Sequence, residues 1–188
     1  MTAGIDWTFI GKLEGAGIAR GYVPNPSTSN SGVTVATGFD IGQRSAADLE
    51  AMGLPDDLVA KLEPYAGLRG RAAADFLARH PLLLEADEVA AIDASVRAAF
   101  SDRLASIYNA AVSGDDDRAD FEDLPAAAQT VIASVAYQYG LDLTRRTPRF
   151  WSTVVAQDWE AAVTELRNFG DAYGSRRRQE AELLASVR

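Results

Sequence analysis

The sequence of 188 residues contains no cysteine and only one histidine, His80. The absence of cysteine excludes disulfide scaffolds, zinc-thiolate sites and cysteine nucleophiles. A single histidine removes the Ser-His-Asp triad as a strong option. No apolar run approaches the roughly 20 residues that a membrane-spanning helix needs. With 47% hydrophobic and 24% charged residues, the chain has the composition of an ordinary globular protein.

Acidic residues outnumber basic ones, giving a net charge of −9, but the excess lies in the middle of the chain. Residues 45–125 carry 7 basic and 17 acidic side chains, whereas residues 1–44 carry three of each and residues 126–188 carry 8 basic and 7 acidic. This distribution argues against nucleic acid as the main partner, because binding to nucleic acid needs a basic surface.

The N-terminus lacks the features of a signal peptide. Asp6 and Lys12 interrupt the stretch that would have to be apolar, and no small-residue cleavage site follows. We therefore expect the protein to be synthesised in the cytoplasm without a signal peptide.

The hydrophobic pattern predicts helices along most of the chain and a small β-ribbon near its start. Residues 6–13 have the spacing of a short helix that Gly15 and Gly17 end, and residues 19–43 are rich in β-branched residues, glycine, serine and proline. Further helices are predicted between Ser45 and Gly53, from Pro55 to about Leu62, over 85–112 and 126–139, and after Thr147-Pro148, Asp158 and Ser175, the last running through Val187.

These elements predict an α+β, mostly α fold in one domain, residues 1–188. A small N-terminal lobe bearing the β-ribbon would cover about residues 1–84. A connecting helix and a helical C-terminal lobe would cover about residues 85–188, with a cleft between the lobes.

Glu14 is the first candidate for chemistry, because it shares an apolar helix face with Trp7 and Ile10. A carboxylate in that position must be buried, paired or functional. Partial burial at the end of a helix, beside a glycine turn, would favour the protonated form that a general acid needs.

Asp40 is the next carboxylate after Glu14, since residues 15–39 contain neither Asp nor Glu. Thr34 and Asp40 have the same parity, so in a strand they face the same side, with small residues between them. A straight strand would separate them by about 20 Å, which predicts a bend at Gly38. A plain strand residue at Thr34 and a turn or cap residue at Asp40 are the alternative interpretations.

The order of Glu14, then GYVP, then SGVTVATGFDIGQ resembles the muramidase domain of pesticin and related phage-lysozyme-like toxins and endolysins. VAYQYG, TPRFWSTVVAQDWEAAVTELRNF and SRRRQEAELL resemble the helical lobe of phage lysozymes, and LLLEADEVAAIDASVRAAF resembles their long helix between the lobes. The resemblance covers nearly the whole chain and implies a lysozyme-like fold.

The resemblance also implies roles for individual residues. Glu14 would be the general acid that protonates the glycosidic oxygen, and Thr34 and Asp40 would position and activate the attacking water, with inversion of the sugar configuration. Ordinary phage lysozymes place an Asp between the Glu and the Thr. This chain has none there, as pesticin-like members do not, so Asp40 takes its place.

Other side chains are candidates for substrate binding. Gln138 matches a glutamine in the cleft of phage lysozymes, where it would form a hydrogen bond with an N-acetyl or hydroxyl group. The alternative is that Gln138 is simply a polar residue at the C-terminal end of its helix. Tyr22 and Tyr139 would stack on sugars or fill small gaps in the core. Arg176, Arg177 and Arg178 would contact carboxylates of the peptide stem, or pair with Glu180, Glu182 or the acidic middle.

The predicted function is hydrolysis of the β-1,4 bond between N-acetylmuramic acid and N-acetylglucosamine in bacterial peptidoglycan, with no cofactor and no metal. A lytic transglycosylase, which would not need Asp40, and a non-catalytic wall-binding module are the alternatives. We expect a monomer that does not insert into membranes and acts on the periplasmic cell wall after release or injection, as a phage endolysin or an antibacterial toxin. The further partners considered are a holin, a secretion machine and an immunity protein.

Overall fold

The computed structural model of the protein describes residues 4–14, 17–115 and 117–187. These residues form ten α-helices, three β-strands and three short 3-10 helices, which confirms the predicted α+β, mostly α class. The strands are β1 (Ile18–Tyr22), β2 (Thr34–Ala36) and β3 (Phe39–Asp40). The helices are α1 (Trp7–Glu14), α2 (Ala46–Glu50), α3 (Asp56–Leu62), α4 (Gly70–Arg79), α5 (Ala86–Val112), α6 (Ala126–Tyr139), α7 (Leu143–Arg146), α8 (Pro148–Val155), α9 (Trp159–Arg167) and α10 (Gly174–Leu184).

The chain divides into two compact units. We call the described part of residues 14–99 the sheet unit, and the described parts of 1–13 and 100–188 the helical unit. Helix α5 contributes residues to both units. The single domain with a lobe boundary near residue 84 stays a prediction.

The three strands form an antiparallel sheet in the order β1-β2-β3. The chain turns back between β2 and β3, where Gly38 has a φ of +86°, a conformation that glycine adopts without strain. The predicted bend at Gly38 is therefore confirmed. Asp93 of α5 fixes this turn, since it accepts hydrogen bonds from the backbone N–H of Thr37 at 3.1 Å and from its hydroxyl at 2.8 Å.

The core of the sheet unit combines residues in and around β2 with residues of helices α2, α3 and α5. Its members include Val33, Val35, Ile41, Leu49, Leu62 and Ile92, all fully buried. Helix α2 begins at the predicted cap, because Ser45 Oγ accepts a bond from the Asp48 N–H while the Asp48 carboxylate accepts one from the Ser45 N–H. This reciprocal pair satisfies two helix-end donors.

Helix α6 lies at the centre of the helical unit, with residues 128–136 all buried. It ends as predicted at Gly140, whose φ is +85°, and α9 begins at the predicted cap Asp158. Trp151 of α8 is buried as well. The predicted cap of the last helix is wrong: α10 begins at Gly174, so Ser175 lies inside its first turn, and it ends at Leu184 rather than Val187. Helix α7 was not predicted.

Within the described residues, none of the helices combines the length and the apolar character that crossing a membrane requires.

Candidate active site

Helix α1 places Glu14 at its C-terminal end. Asp6 caps the other end, since its carboxylate accepts bonds from the backbone N–H groups of Thr8 at 2.9 Å and Phe9 at 3.0 Å. Ile10 is the buried residue of this helix, and Glu14 is exposed. The expected partial burial of Glu14 is therefore wrong, because Glu14 lies one helical turn beyond Ile10. Gly15, predicted to end the helix, lies outside the described residues.

Three predicted site residues form one row across the sheet. Tyr22 of β1 pairs with Thr34 of β2, and Thr34 pairs with Asp40 of β3. Directly paired residues point to the same face, with Cβ atoms about 5 Å apart. We call Tyr22, Thr34 and Asp40 the cross-strand row. Thr34 is only 4% exposed, Asp40 is half-buried and Tyr22 is exposed.

The carboxylate of Asp40 is held by surrounding N–H groups. The backbone N–H of Gly32 lies 3.0 and 3.1 Å from its two oxygens, and that of Gly42 donates to Oδ1 at 3.0 Å. Gln43 Nε2 lies 3.5 Å from Oδ2. Asp40 thereby caps the short 3-10 helix Ile41–Gln43, so the alternative interpretation of Asp40 as a cap residue is confirmed. Oδ1 thus accepts from both backbone groups, whereas Oδ2 shares the Gly32 N–H and has only the more distant Gln43 amide as a second donor.

Glycine at positions 32 and 42 lets the backbone close around Asp40. A Cβ atom on Gly42 would lie 2.1 Å from the carbonyl oxygen of Leu68 and 2.6 Å from the Cα of Gly32. Arg69 Nε also donates to the Gly42 carbonyl at 3.0 Å. Sequence reasoning missed these supports. The glycines that flank the TVATGFD segment were the available signal, but the distant Leu68 and Arg69 gave none.

In the helical unit, Gln138 lies near the C-terminus of α6 and is bonded to Arg177. Its side-chain oxygen accepts a hydrogen bond from Arg177 Nη2. Because a guanidinium only donates, the amide must turn its oxygen to Arg177 and its NH₂ group the other way. Gln138 is thus oriented as a hydrogen-bond donor.

Tyr139 is engaged in the same neighbourhood. Its hydroxyl donates to Asp171 Oδ2 at 2.7 Å, and its ring centre lies 5.8 Å from that of Phe169. Burial, followed by the hydrogen bond to Asp171, raises the pKa of Tyr139. These contacts favour the interpretation of Tyr139 as a packing residue. Its binding of sugar stays a prediction, as does that of Tyr22.

Two arginines at the start of α10 form ion pairs with the buried Glu180 and the half-buried Asp171. Glu180, which is 0% exposed, pairs with Arg176 Nε at 3.1 Å and with Arg177 Nη1. Arg177 Nε also lies 2.9 Å from Asp171 Oδ2. The salt-bridge alternative is therefore confirmed for Arg176 and Arg177, while Arg178 is exposed.

Among the described residues, no three His, Asp or Glu side chains are grouped so that they could hold a metal ion.

Comparison with known proteins agrees with the resemblance seen in the sequence. The profile of the Pesticin family, described as a bacterial toxin homologue of phage lysozyme, C-terminal part, matches residues 4–160 of this chain. No curated protein matches it. The matched segment includes the whole sheet and helices α1 to α8, which confirms the predicted lysozyme-like fold. The chain belongs to the pesticin family of phage-lysozyme-like bacterial toxin domains.

Proposed function

We propose that the protein is a muramidase, a lysozyme-type hydrolase that cleaves the β-1,4 bond between N-acetylmuramic acid and N-acetylglucosamine. Family membership supports a lysozyme-like function on peptidoglycan. The observation that supports a muramidase in particular is the cross-strand row, in which the hydrogen-bonded Asp40 carboxylate pairs across the sheet with the buried Thr34. Peptidoglycan is then its partner, reached in the periplasm after release or injection.

The proposed reaction uses one acid and one base, as in inverting glycosidases. Glu14 gives its proton to the oxygen of the leaving N-acetylglucosamine as the bond to the anomeric carbon breaks. Water attacks that carbon from the other side and loses a proton to Asp40, while the Thr34 hydroxyl orients it. Oδ2 of Asp40 is the oxygen that takes this proton, because Oδ1 already accepts two short backbone bonds. Asp40 then releases its proton to solvent, and Glu14 takes up a proton from solvent.

The products of wall digestion test this proposal. Purified peptidoglycan is digested with the wild-type protein, and the sugar ends are identified by mass spectrometry. A muramidase leaves reducing N-acetylmuramic acid ends. Anhydro ends would contradict the proposal in favour of a lytic transglycosylase, and no release by folded protein would favour a wall-binding module.

A matched pair of variants tests the role of Asp40. Asp40→Asn keeps the shape of the side chain but removes the base, and we expect kcat to fall about 100-fold or more. Asp48→Asn makes the same change in another capping residue of the sheet unit, and we expect it to retain activity. Undiminished cleavage by Asp40→Asn would refute the two-group mechanism.

A further inference from the structure

Exposed hydrophobic side chains gather at one strand of the sheet unit. Among the described residues, four large hydrophobic side chains are exposed, and three of them are Ile18 at 44%, Tyr22 at 37% and Leu83 at 60%. Ile18 and Tyr22 belong to β1, and Leu83 pairs with Arg20 of the same strand in an isolated antiparallel bridge. We call Ile18, Arg20, Tyr22 and Leu83 the β1 patch.

The exposure of successive residues places these side chains on one face, although the pairing of β1 with β2 shifts register between Ile18 and Tyr22. Residues 18, 20 and 22 are exposed, whereas residue 19 is half-buried and residue 21 is buried, as expected for a strand with one solvent-facing side. Leu83, as the direct partner of Arg20, points to the same face. The patch is therefore two aliphatic groups and one aromatic ring around a guanidinium.

Arg20 has no ion-pair or hydrogen-bond partner for its side chain within the described part of the chain, and it is exposed. Most other cations of the sheet unit are engaged. Lys61 pairs with Glu88, Arg97 with Asp93, Arg69 and Arg79 bond backbone carbonyl groups, and Arg44 lies over the Phe39 ring. Residues 15–39 contain no carboxylate, so Arg20 has no acidic neighbour on its own strand.

Arg20 also lines a pocket of about 300 Å³ in which it is the one charged residue. The other lining residues come from β1, α4 and the chain around them: Gly21, Val23, Pro26, Ala74, Leu77, Ala78, Pro81 and Leu82. A cation at an apolar surface pairs with a carboxylate more strongly than one surrounded by water.

The β1 patch is continuous with the cross-strand row. Tyr22 belongs to both, and Arg20 lies two residues before it in β1, so their Cα atoms are at most about 7 Å apart. Two residues of an extended peptide also span at most about 7 Å. A peptide attached to a sugar at the row would therefore reach Arg20.

We propose that the β1 patch binds the peptide stem of peptidoglycan, with Arg20 paired to a stem carboxylate and Ile18 and Leu83 packed on its aliphatic groups. The proposal rests on the proposed function. Aliphatic side chains suit the methyl and methylene groups of a peptide better than the hydroxyl groups of a sugar. The guanidinium suits the carboxylates that amino-acid stems carry and neutral sugar rings lack. Arg20 thus becomes a specificity-determining residue.

The test removes the Arg20 guanidinium and the stem carboxylates separately. Soluble wall fragments are used as isolated and after carbodiimide amidation, which converts their carboxylates to amides. We expect Arg20→Gln to raise KM for the native fragments about tenfold while kcat changes by no more than about twofold. Amidation of the fragments is expected to raise the KM of the wild type similarly. The KM of Arg20→Gln should be the same for native and amidated fragments, because the variant and the amidation remove the same contact. Arg103→Gln is the control, since Arg103 is exposed on α5 outside the patch.

Two results would overturn the proposal. One is a KM of Arg20→Gln equal to that of the wild type on native fragments. The other is an effect of amidation that persists in full in Arg20→Gln. Leu83→Ser supplies a second variant at an exposed site, and it is expected to raise KM for native and amidated fragments alike. A wild-type protein that releases no sugar ends at all refutes the proposed function itself, which distinguishes that failure from failure of the patch.

Discussion

Replacing Glu180 by glutamine tests whether its buried carboxylate stabilises the helical unit. The Glu180 carboxylate is fully buried, and it accepts bonds from Ser134 Oγ, Arg176 Nε and Arg177 Nη1. Glutamine keeps the volume of the side chain but removes its charge and turns one acceptor into a donor. Two buried guanidinium groups would then lose the carboxylate that they share.

The expected cost follows from the burial of all three partners. Removing one member of a buried ion pair typically costs about 3–5 kcal/mol, because the remaining charge stays desolvated. Arg177 retains Asp171 at 2.9 Å, so we expect a value near the lower end, about 3 kcal/mol. For a chain of this length that corresponds to a fall in Tm of about 6–12 °C.

Urea unfolding followed by circular dichroism measures this cost. Glu182→Gln is the matched control, because Glu182 lies on the same helix but is exposed, and it should change the free energy of unfolding by less than about 0.5 kcal/mol. A Glu180→Gln protein as stable as the control would refute the view that this carboxylate holds α10 to α6.

Three further changes probe separate parts of the structure. Gly42→Ala forces a Cβ against the Leu68 carbonyl oxygen and is expected to lower the free energy of unfolding by about 1–3 kcal/mol. Gly11→Ala has open space around its Cβ and should stabilise α1 by about 0.5–1 kcal/mol. Equal effects of the two changes in thermal unfolding would contradict the close approach of Gly42 to Leu68. The hydrogen bond from Lys61, followed by that from the Glu85 backbone, holds the pKa of Glu88 below its ordinary 4.5. This stabilisation is present above that value and is lost as pH falls through the lower folded pKa, so the stability gap between wild type and Lys61→Met, measured in urea, should narrow from pH 7 to about pH 3.

Local signals in the sequence predicted much of the architecture. The Ser45 and Asp158 caps and the glycine after α6 marked helix boundaries correctly, because capping depends on residues within one helical turn. Gly38 predicted the bend that pairs Thr34 with Asp40. The start of α10 was missed because serine is a common cap, yet here the helix begins before it.

Contacts between distant parts of the chain could not be predicted. The closure around Asp40 joins Gly42 to Arg69, 27 residues away, and the charge network joins Ser134 to Glu180, 46 residues away. No local pattern encodes such pairs, because they depend on how whole elements pack. The exposure of Glu14 was mispredicted for the same reason: helical spacing identifies a face, but tertiary packing decides where burial on that face ends.

The rate at which Glu14→Gln releases reducing ends from peptidoglycan shows whether Glu14 is the general acid of a muramidase. Glu50→Gln is a matched control, since Glu50 is likewise the last residue of a short helix and exposed. We expect kcat to fall about 100- to 10,000-fold in Glu14→Gln, with unchanged circular dichroism, and we expect wild-type activity for Glu50→Gln. Equal rates for the wild type and Glu14→Gln would show that Glu14 donates no proton and would contradict the proposed mechanism.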